Sequence, residues 1–199
     1  NRKHSNNDMS VELAEKAIDM YIDTSDEAPD RVISFYGGEP LLRIELIRHC
    51  VVYAKKKCLG KKLRFAMTTN GTLLTLETAR FLAENNFEVL ISLDGSKEEH
   101  NEYRKFANGE GSFDTIMNNL RAIRNELPDF FKSISFNTVL NPKHNYENIK
   151  EYFQNDDIVA DAALMHTLVE ENDSSSNINF QKEFTRSREY DHFLLLLHM

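Results

Sequence analysis

Cysteine is scarce in this sequence, because only Cys50 and Cys58 occur among its 199 residues. Two thiols exclude a framework of several disulfides, and they are too few for a metal site built from four thiolates. Both lie in one predicted helix on the outside of the predicted sheet, where we expect each to pack against a strand. The shortage limits the chemistry that these residues can carry by themselves.

Long apolar runs and an excess of basic residues are also missing. No segment approaches the roughly 20 apolar residues that cross a bilayer, and the region from Asn1 lacks the apolar stretch of a signal peptide. We therefore expect a cytoplasmic protein with no membrane partner. The 24 Lys and Arg residues stand against 32 Asp and Glu, a net charge of −8. This balance argues against a nucleic-acid partner, which relies on clustered positive charge.

Short β-rich runs alternate along the chain with amphipathic helical patterns. The predicted strands are Val32–Tyr36, Leu63–Thr69, Val89–Leu93, Ser133–Leu140 and one within Ile158–Val169. Predicted helices begin after Ser10, Pro40, Thr75, Ser112 and Asn145, whereas the stretch from Gly95 to Gly111 is typical of a polar loop. At least four strand-then-helix units predict an α/β fold with a parallel sheet, either open or curved into a barrel.

The domain organisation that we expect is a single domain over residues 1–199, with its core at about residues 10–169. The polar, Ser-rich stretch Glu170–Asn179 is typical of a surface loop. The apolar run His192–Met199 predicts either a helix docked on the body or a truncated element. No fixed repeat and no low-complexity linker argues for a second domain.

Small and hydrogen-bonding residues collect where the predicted strands end. The first strand leads into Gly37, Gly38 and Glu39, and the second into Asn70. Ser92 and Asp94 end the third, and the fourth includes Asn137 and Val139. In parallel α/β folds, ligands bind at these carboxyl ends. Their side chains are therefore candidates for one shared cavity.

We call these strand-end residues the rim, and their chemistry suits a ligand with an ammonium group, a carboxylate and ribose hydroxyls. The Gly37-Gly38 pair allows bare backbone to approach a ligand, and Glu39 adds a fixed negative charge beside it. The period of two places Ser92 and Asp94 on one face of their strand. The alternative is that the glycine dipeptides are only turn chemistry, which punctuates any α/β chain.

Three ordered motifs give the sequence a family resemblance over about residues 10–145. They are Ile33–Leu42 (ISFYGGEPLL), Met67–Leu74 (MTTNGTLL) and Ile91–Gly95 (ISLDG), the last followed by His100, Arg104 and Asn108–Asp114 (NGEGSFD). Together they resemble the radical S-adenosylmethionine (AdoMet) enzymes. The similarity is greatest to the branch with a C-terminal auxiliary-cluster (SPASM) domain, which includes peptide maturases and anaerobic sulfatase-maturating enzymes.

The resemblance implies a role for each rim residue on a partial (β/α) barrel. Gly37, Gly38 and Glu39 would bind the methionyl amino group, and Asn70 would line the cofactor cavity. Ser92 and Asp94 would hold the carboxylate or ribose, and Arg104 is a candidate partner of the carboxylate. Asn137 and Val139 would approach the ribose and adenine.

The cluster motif of the family is absent from this sequence. Radical AdoMet enzymes bind a four-iron, four-sulfur cluster through three cysteines in a C-x3-C-x2-C loop after the first strand, and neither that loop nor that strand has a counterpart here. The resemblance implies that the parent protein modifies a precursor peptide or protein through a 5′-deoxyadenosyl radical, with an electron donor. We expect these 199 residues alone to be inactive. The missing strand would also leave Val32–Phe35 as an exposed edge, which predicts self-association.

Two alternatives stay open at the level of sequence. One is a noncatalytic nucleoside- or peptide-binding module derived from the same fold. The other is a cluster-independent barrel enzyme that uses Glu39, Asp94 or a histidine for acid–base chemistry. The seven histidines are scattered, and only His100 lies near a predicted strand end. Their spacing does not predict a metal site.

Overall fold

Five parallel strands in sequential order form the sheet of this protein. The computed structural model describes residues 8–25, 28, 30–140, 145–160 and 162–168. The strands are β1 (Arg31–Phe35), β2 (Leu63–Thr69), β3 (Phe87–Ser92), β4 (Ile134–Leu140) and β5 (Ala163–Leu168), and each pairs in parallel with the next. The α/β fold predicted from the sequence is confirmed.

Helices connect the strands, and the sequential strand order with right-handed crossovers puts the connecting helices on one face of the sheet. They are α2 (Ile44–Lys57), α3 (Leu76–Glu84), α4 (Lys97–Tyr103), α5 (Phe113–Glu126), α6 (Pro128–Phe131) and α7 (Tyr146–Asn155), with a 3-10 turn at Pro40–Arg43 before α2, whereas α1 (Val11–Thr24) precedes β1. The predicted caps Ser10, Thr75 and Asn145 are confirmed, because each side chain accepts a backbone N–H of its helix.

The two faces of the sheet differ in burial. On β2, Phe65, Met67 and Thr69 are buried beneath the helices, whereas Ala66 and Thr68 on the opposite face are only half-buried. The Phe65 and Phe87 rings stack with centroids 5.2 Å apart, which joins β2 to β3 within the core. The helix-free face is the concave side of a partial (β/α) barrel.

The prediction of a polar loop from Gly95 to Gly111 is wrong, because α4 lies within it. The helix has little apolar periodicity, so the hydrophobic pattern gives no signal for it. A capping box between Ser96 and Glu99 starts the helix, and the fully buried His100 attaches it to the body. The short helix α6 also lies outside the predicted elements.

Some predictions concern residues that the structure does not describe. Residues 170–199, with the predicted loop and terminal apolar segment, lie outside the described residues. No helix in the described part of the chain is both long and apolar enough to cross a membrane.

Candidate functional site

The structure places the predicted rim residues at the carboxyl edge of the sheet. The loop after β1 carries Gly37, Gly38 and Glu39, and Asn70 follows the end of β2. Ser92 ends β3 and lies in register with Asn137 of β4, and both are half-buried. The ends of β1, β2 and β3 and the middle of β4 therefore contribute to one edge.

Glu39 is held between the first two strand ends by three donors. Its Oε1 accepts from the Thr69 hydroxyl at 2.7 Å and from the Leu41 amide at 3.1 Å. Its Oε2 accepts from the Asn70 amide at 2.7 Å. The carboxylate thus caps the 3-10 turn that begins at Pro40 and joins the β1 loop to β2. The position of this negative charge is fixed by the protein itself.

The glycine pair beside Glu39 faces open space. A Cβ built on Gly37 or Gly38 would have no described atom within 4 Å outside its chain neighbours. Neither residue has a positive φ, so the backbone conformation does not require glycine at these positions. The absence of side chains instead leaves the backbone accessible, which suits close approach of a ligand.

Asn70 and Gly71 form a tight turn at the end of β2. The Asn70 Oδ1 accepts from the Thr72 amide at 2.9 Å and from the Thr72 hydroxyl at 2.7 Å. Gly71 has a φ of +75°, and a Cβ there would lie 3.1 Å from Ile91 Cγ2. This dipeptide therefore forms a turn, as the alternative interpretation of the glycine dipeptides expects. The Asn70 oxygen accepts its hydrogen bonds within that turn.

Asp94 and Arg104 bind each other. Arg104 donates from Nε to Asp94 Oδ2 at 2.5 Å and from Nη2 to Oδ1 at 3.0 Å. The Val139 amide also donates to Oδ1 at 3.0 Å, so the carboxylate joins the end of β3 to β4. The Asp94 side chain is 8% exposed and that of Arg104 27%. Both residues thus already serve the fold, and contact with a ligand stays a prediction for each.

The buried His100 ring joins several segments of this region, a structural role that its place after the third motif does not predict. The Asp94 amide donates to His100 Nδ1 at 3.3 Å, so the ring proton lies on Nε2. That nitrogen lies 2.9 Å from the Ser112 hydroxyl, which donates to the Arg104 carbonyl. Burial lowers the pKa of His100 from 6.5 to about 4, and the Arg104 charge adds to the effect while Asp94 opposes it.

The thiols of the chain do not form a metal site. Cys50 lies within α2 and Cys58 directly after it, and both are buried. Burial, followed by the charge of Glu15, raises the pKa of the Cys50 thiol, which disfavours the thiolate that a metal needs. Among the described residues, no group of three or more His, Cys, Asp or Glu side chains could hold a metal ion.

In comparisons with known proteins, the matching family model and the similar proteins agree with each other. The family model described as the radical SAM superfamily matches residues 1–155. The serine-type anaerobic sulfatase-maturating enzyme of Bacteroides thetaiotaomicron is 39% identical over 117 residues, which cover 58% of this chain and 28% of the relative.

Solved structures match at lower identity. "Native anSMEcpe with bound AdoMet" superposes with a TM-score of 0.78 at 23% identity, over 96% of this chain and 54% of the other. "Native anSMEcpe with bound AdoMet and Kp18Cys peptide" gives a TM-score of 0.78 at 22% identity, over 97% and 55%. These matches show a shared fold. The chain spans about half the length of these structures and under a third of the curated relative.

Proposed function

Since the chain belongs to the radical SAM superfamily, we propose that its carboxyl edge binds AdoMet and that it forms the core of an enzyme that modifies a peptide or protein. Members of this superfamily use AdoMet together with a four-iron, four-sulfur cluster. The observation that carries the proposal is the fixed Glu39 carboxylate beside the open Gly37-Gly38 backbone.

The groups at this edge fit the polar parts of AdoMet. The ammonium group needs acceptors, which Glu39 and the Gly37 and Gly38 carbonyls supply. The Ser92 hydroxyl and the neighbouring Asn137 suit the carboxylate and ribose hydroxyls. Asn70 lines the cavity beside Glu39, and the backbone of β4 near Val139 lies toward the adenine.

Arg104 contributes through the part of its guanidinium that Asp94 does not hold. Its Nε and Nη2 are on Asp94, and Nη1 has no hydrogen-bond partner among the described residues. We assign Nη1 to the AdoMet carboxylate, because a guanidinium is a strong donor to such a group. Asp94 then orients Arg104 at the site.

The iron–sulfur cluster does not fit the residues present. A cluster needs thiolate ligands, and the chain's two cysteines are buried around α2. When bound, a reduced cluster would supply the electron for reductive cleavage of AdoMet. We therefore propose that the thiolates and a contact for the electron donor come from outside these 199 residues. By themselves these residues are expected to produce no 5′-deoxyadenosine.

The substrate that we propose is a peptide or protein. Support comes from the named sulfatase-maturating relative and from the peptide named in one matching structure. Near the rim, the concave face carries small neutral side chains, including Ala66, Thr68 and Ser92. Such a surface admits an uncharged substrate side chain without burying a charge. An auxiliary-cluster domain in the parent protein and a cytoplasmic location stay predictions.

The test is AdoMet affinity in the whole protein, purified without oxygen and with its cluster assembled. Glu39→Gln keeps the shape but removes the negative charge, and we expect it to raise the calorimetric Kd by roughly tenfold to a hundredfold, as for a lost charged hydrogen bond. The matched control is Glu45→Gln, because Glu45 is 85% exposed on α2.

Two results would contradict the proposal. Equal AdoMet affinity in Glu39→Gln and Glu45→Gln would remove Glu39 from the site. Formation of 5′-deoxyadenosine by the 199 residues alone, given iron, sulfide and a chemical reductant, would contradict the external origin of the cluster ligands.

A further inference from the structure

Thr69, the last residue of β2, has a buried hydroxyl that faces Glu39. The residue is 2% exposed and belongs to the face of β2 that the helices cover. Its Oγ1 accepts from the Gly71 amide at 3.1 Å and lies 2.7 Å from Glu39 Oε1. A carboxylate only accepts hydrogen bonds. The single hydroxyl proton is therefore directed to Glu39.

This hydrogen bond makes the two Glu39 oxygens unequal. Oε1 has two donors, the Thr69 hydroxyl and the Leu41 amide, whereas Oε2 has one, the Asn70 amide. Oε1 therefore anchors the carboxylate plane, and Oε2 keeps more free acceptor capacity for a ligand. Removal of the Thr69 donor would leave Oε1 with the Leu41 amide as its one described donor, and the carboxylate would be held less firmly about its last torsion.

We propose that Thr69 is a positioning residue that fixes Glu39 Oε1, so that Oε2 faces the ammonium group of AdoMet. The proposal rests on the proposed function and deepens it. Thr69 does not touch the ligand, and its contribution is to hold the acceptor in place before binding. Such preorganisation raises affinity because the Glu39 side chain does not have to lose conformational entropy when the ligand binds.

The experiment compares two ligands in the whole protein with its cluster assembled. AdoMet carries the amino-acid part, whereas 5′-methylthioadenosine has the same nucleoside without the ammonium or carboxylate. Thr69→Val removes the hydroxyl and keeps the shape, and we expect it to raise the AdoMet Kd by roughly fivefold to thirtyfold, less than for a direct hydrogen bond to a charged group because Thr69 acts through Glu39. The Kd of 5′-methylthioadenosine should change by less than about twofold.

Two further variants serve as controls for Thr69→Val. Thr69→Ser retains the hydroxyl and should restore AdoMet affinity to within about threefold of the natural protein. Thr78→Val makes the same side-chain change on α3, where the hydroxyl of the half-buried Thr78 contacts Thr75, and should leave both affinities unchanged. Thermal unfolding of each variant separates lost affinity from lost fold.

The outcomes separate this proposal from the proposed function. An equal loss of both ligands in Thr69→Val would make Thr69 structural for the whole edge and overturn its positioning role. Unchanged AdoMet affinity in Thr69→Val, with affinity lost in Glu39→Gln, would overturn the role of Thr69 and leave AdoMet binding at Glu39 intact. No loss in either variant would contradict both.

Discussion

His100 shows how one buried side chain can organise a site that it does not enter. Its ring joins the end of β3 to the start of α5 through the Asp94 amide and the Ser112 hydroxyl. Asp94 and Arg104 are the charged groups that face it, and the Phe113 ring packs edge-on with centroids 5.9 Å apart. A proton on Nδ1 would remove the acceptor of the Asp94 amide, so the neutral ring is the form that fits.

The pH dependence of stability follows from this burial. The pKa of His100 is about 4 in the folded protein against 6.5 ordinarily, so between these values the unfolded chain binds more protons. The stability that the neutral ring contributes is complete above pH 6.5 and declines as the pH falls toward 4. The loss is on the order of 3 kcal/mol. Urea unfolding at steps across this range should show it.

A variant isolates the contribution of His100 from those of the other titratable groups. Asn at this position retains an oxygen that can accept from the Asp94 amide but does not titrate. We expect His100→Asn to flatten the decline in unfolding free energy between pH 6.5 and 4. The exposed His49, paired with Glu15, provides the control His49→Asn, which should keep the decline. An unchanged slope in His100→Asn would show that other groups cause it.

The sequence predicts the residues at the strand ends better than those that hold them. Glu39 and Ser92 lie at or after the ends of β-rich runs and Asn137 lies within one, and parallel topology alone brings Glu39 and Ser92 to one edge. Thr69 and His100 could not be found this way. Alternation assigns Thr69 to the core, and its bond to Glu39 joins residues far apart in sequence. The sequence does not reveal the Asp94–Arg104 pair for another reason, because each side chain by itself also suits a ligand.

Helix starts in this fold depend on side-chain acceptors, and the start of α5 differs from its prediction. The bounds of α5 match the predicted helix, but the Ser112 side chain makes no cap bond. Asn101 of α4 accepts from the Phe113 amide through Oδ1 at 3.1 Å instead. Gly111 permits this approach, since a Cβ there would lie 2.1 Å from Asn101 Cγ. A cap from another helix leaves no local pattern in the sequence.

The cap across α4 and α5 gives a prediction for helix stability. Asn101→Ala removes the acceptor of the Phe113 amide, and we expect a loss of about 1 kcal/mol in the free energy of unfolding, as for other N-cap deletions. The control is Asn118→Ala on the exposed side of α5, where alanine favours the helix and should stabilise it slightly. Chemical denaturation measures both. Equal effects of the two variants would show that Asn101 does not cap α5.

The described sheet as a whole has β1 at one edge, and α1 covers this edge in part. The Arg31 amide donates to the Lys62 carbonyl beside β2, whereas the Val32 amide donates outward to the Tyr21 hydroxyl of α1 at 3.0 Å. Alternation then directs the Ser34 amide outward as well. Tyr21 thus blocks one outward donor of the edge, and the exposed Ser34 is the place where another strand could pair.

Self-association through this edge is the consequence that we propose for the 199-residue chain. An exposed strand edge pairs with other strands, and a lysine on it disfavours such pairing. We expect sedimentation velocity to show species larger than the monomer that increase with concentration, and Ser34→Lys to shift them toward the monomer. Leu59→Lys adds the same charge at an 81% exposed position after α2 and should not. A chain that stays monomeric at all concentrations, or equal behaviour of the two lysine variants, would show that the β1 edge does not mediate association.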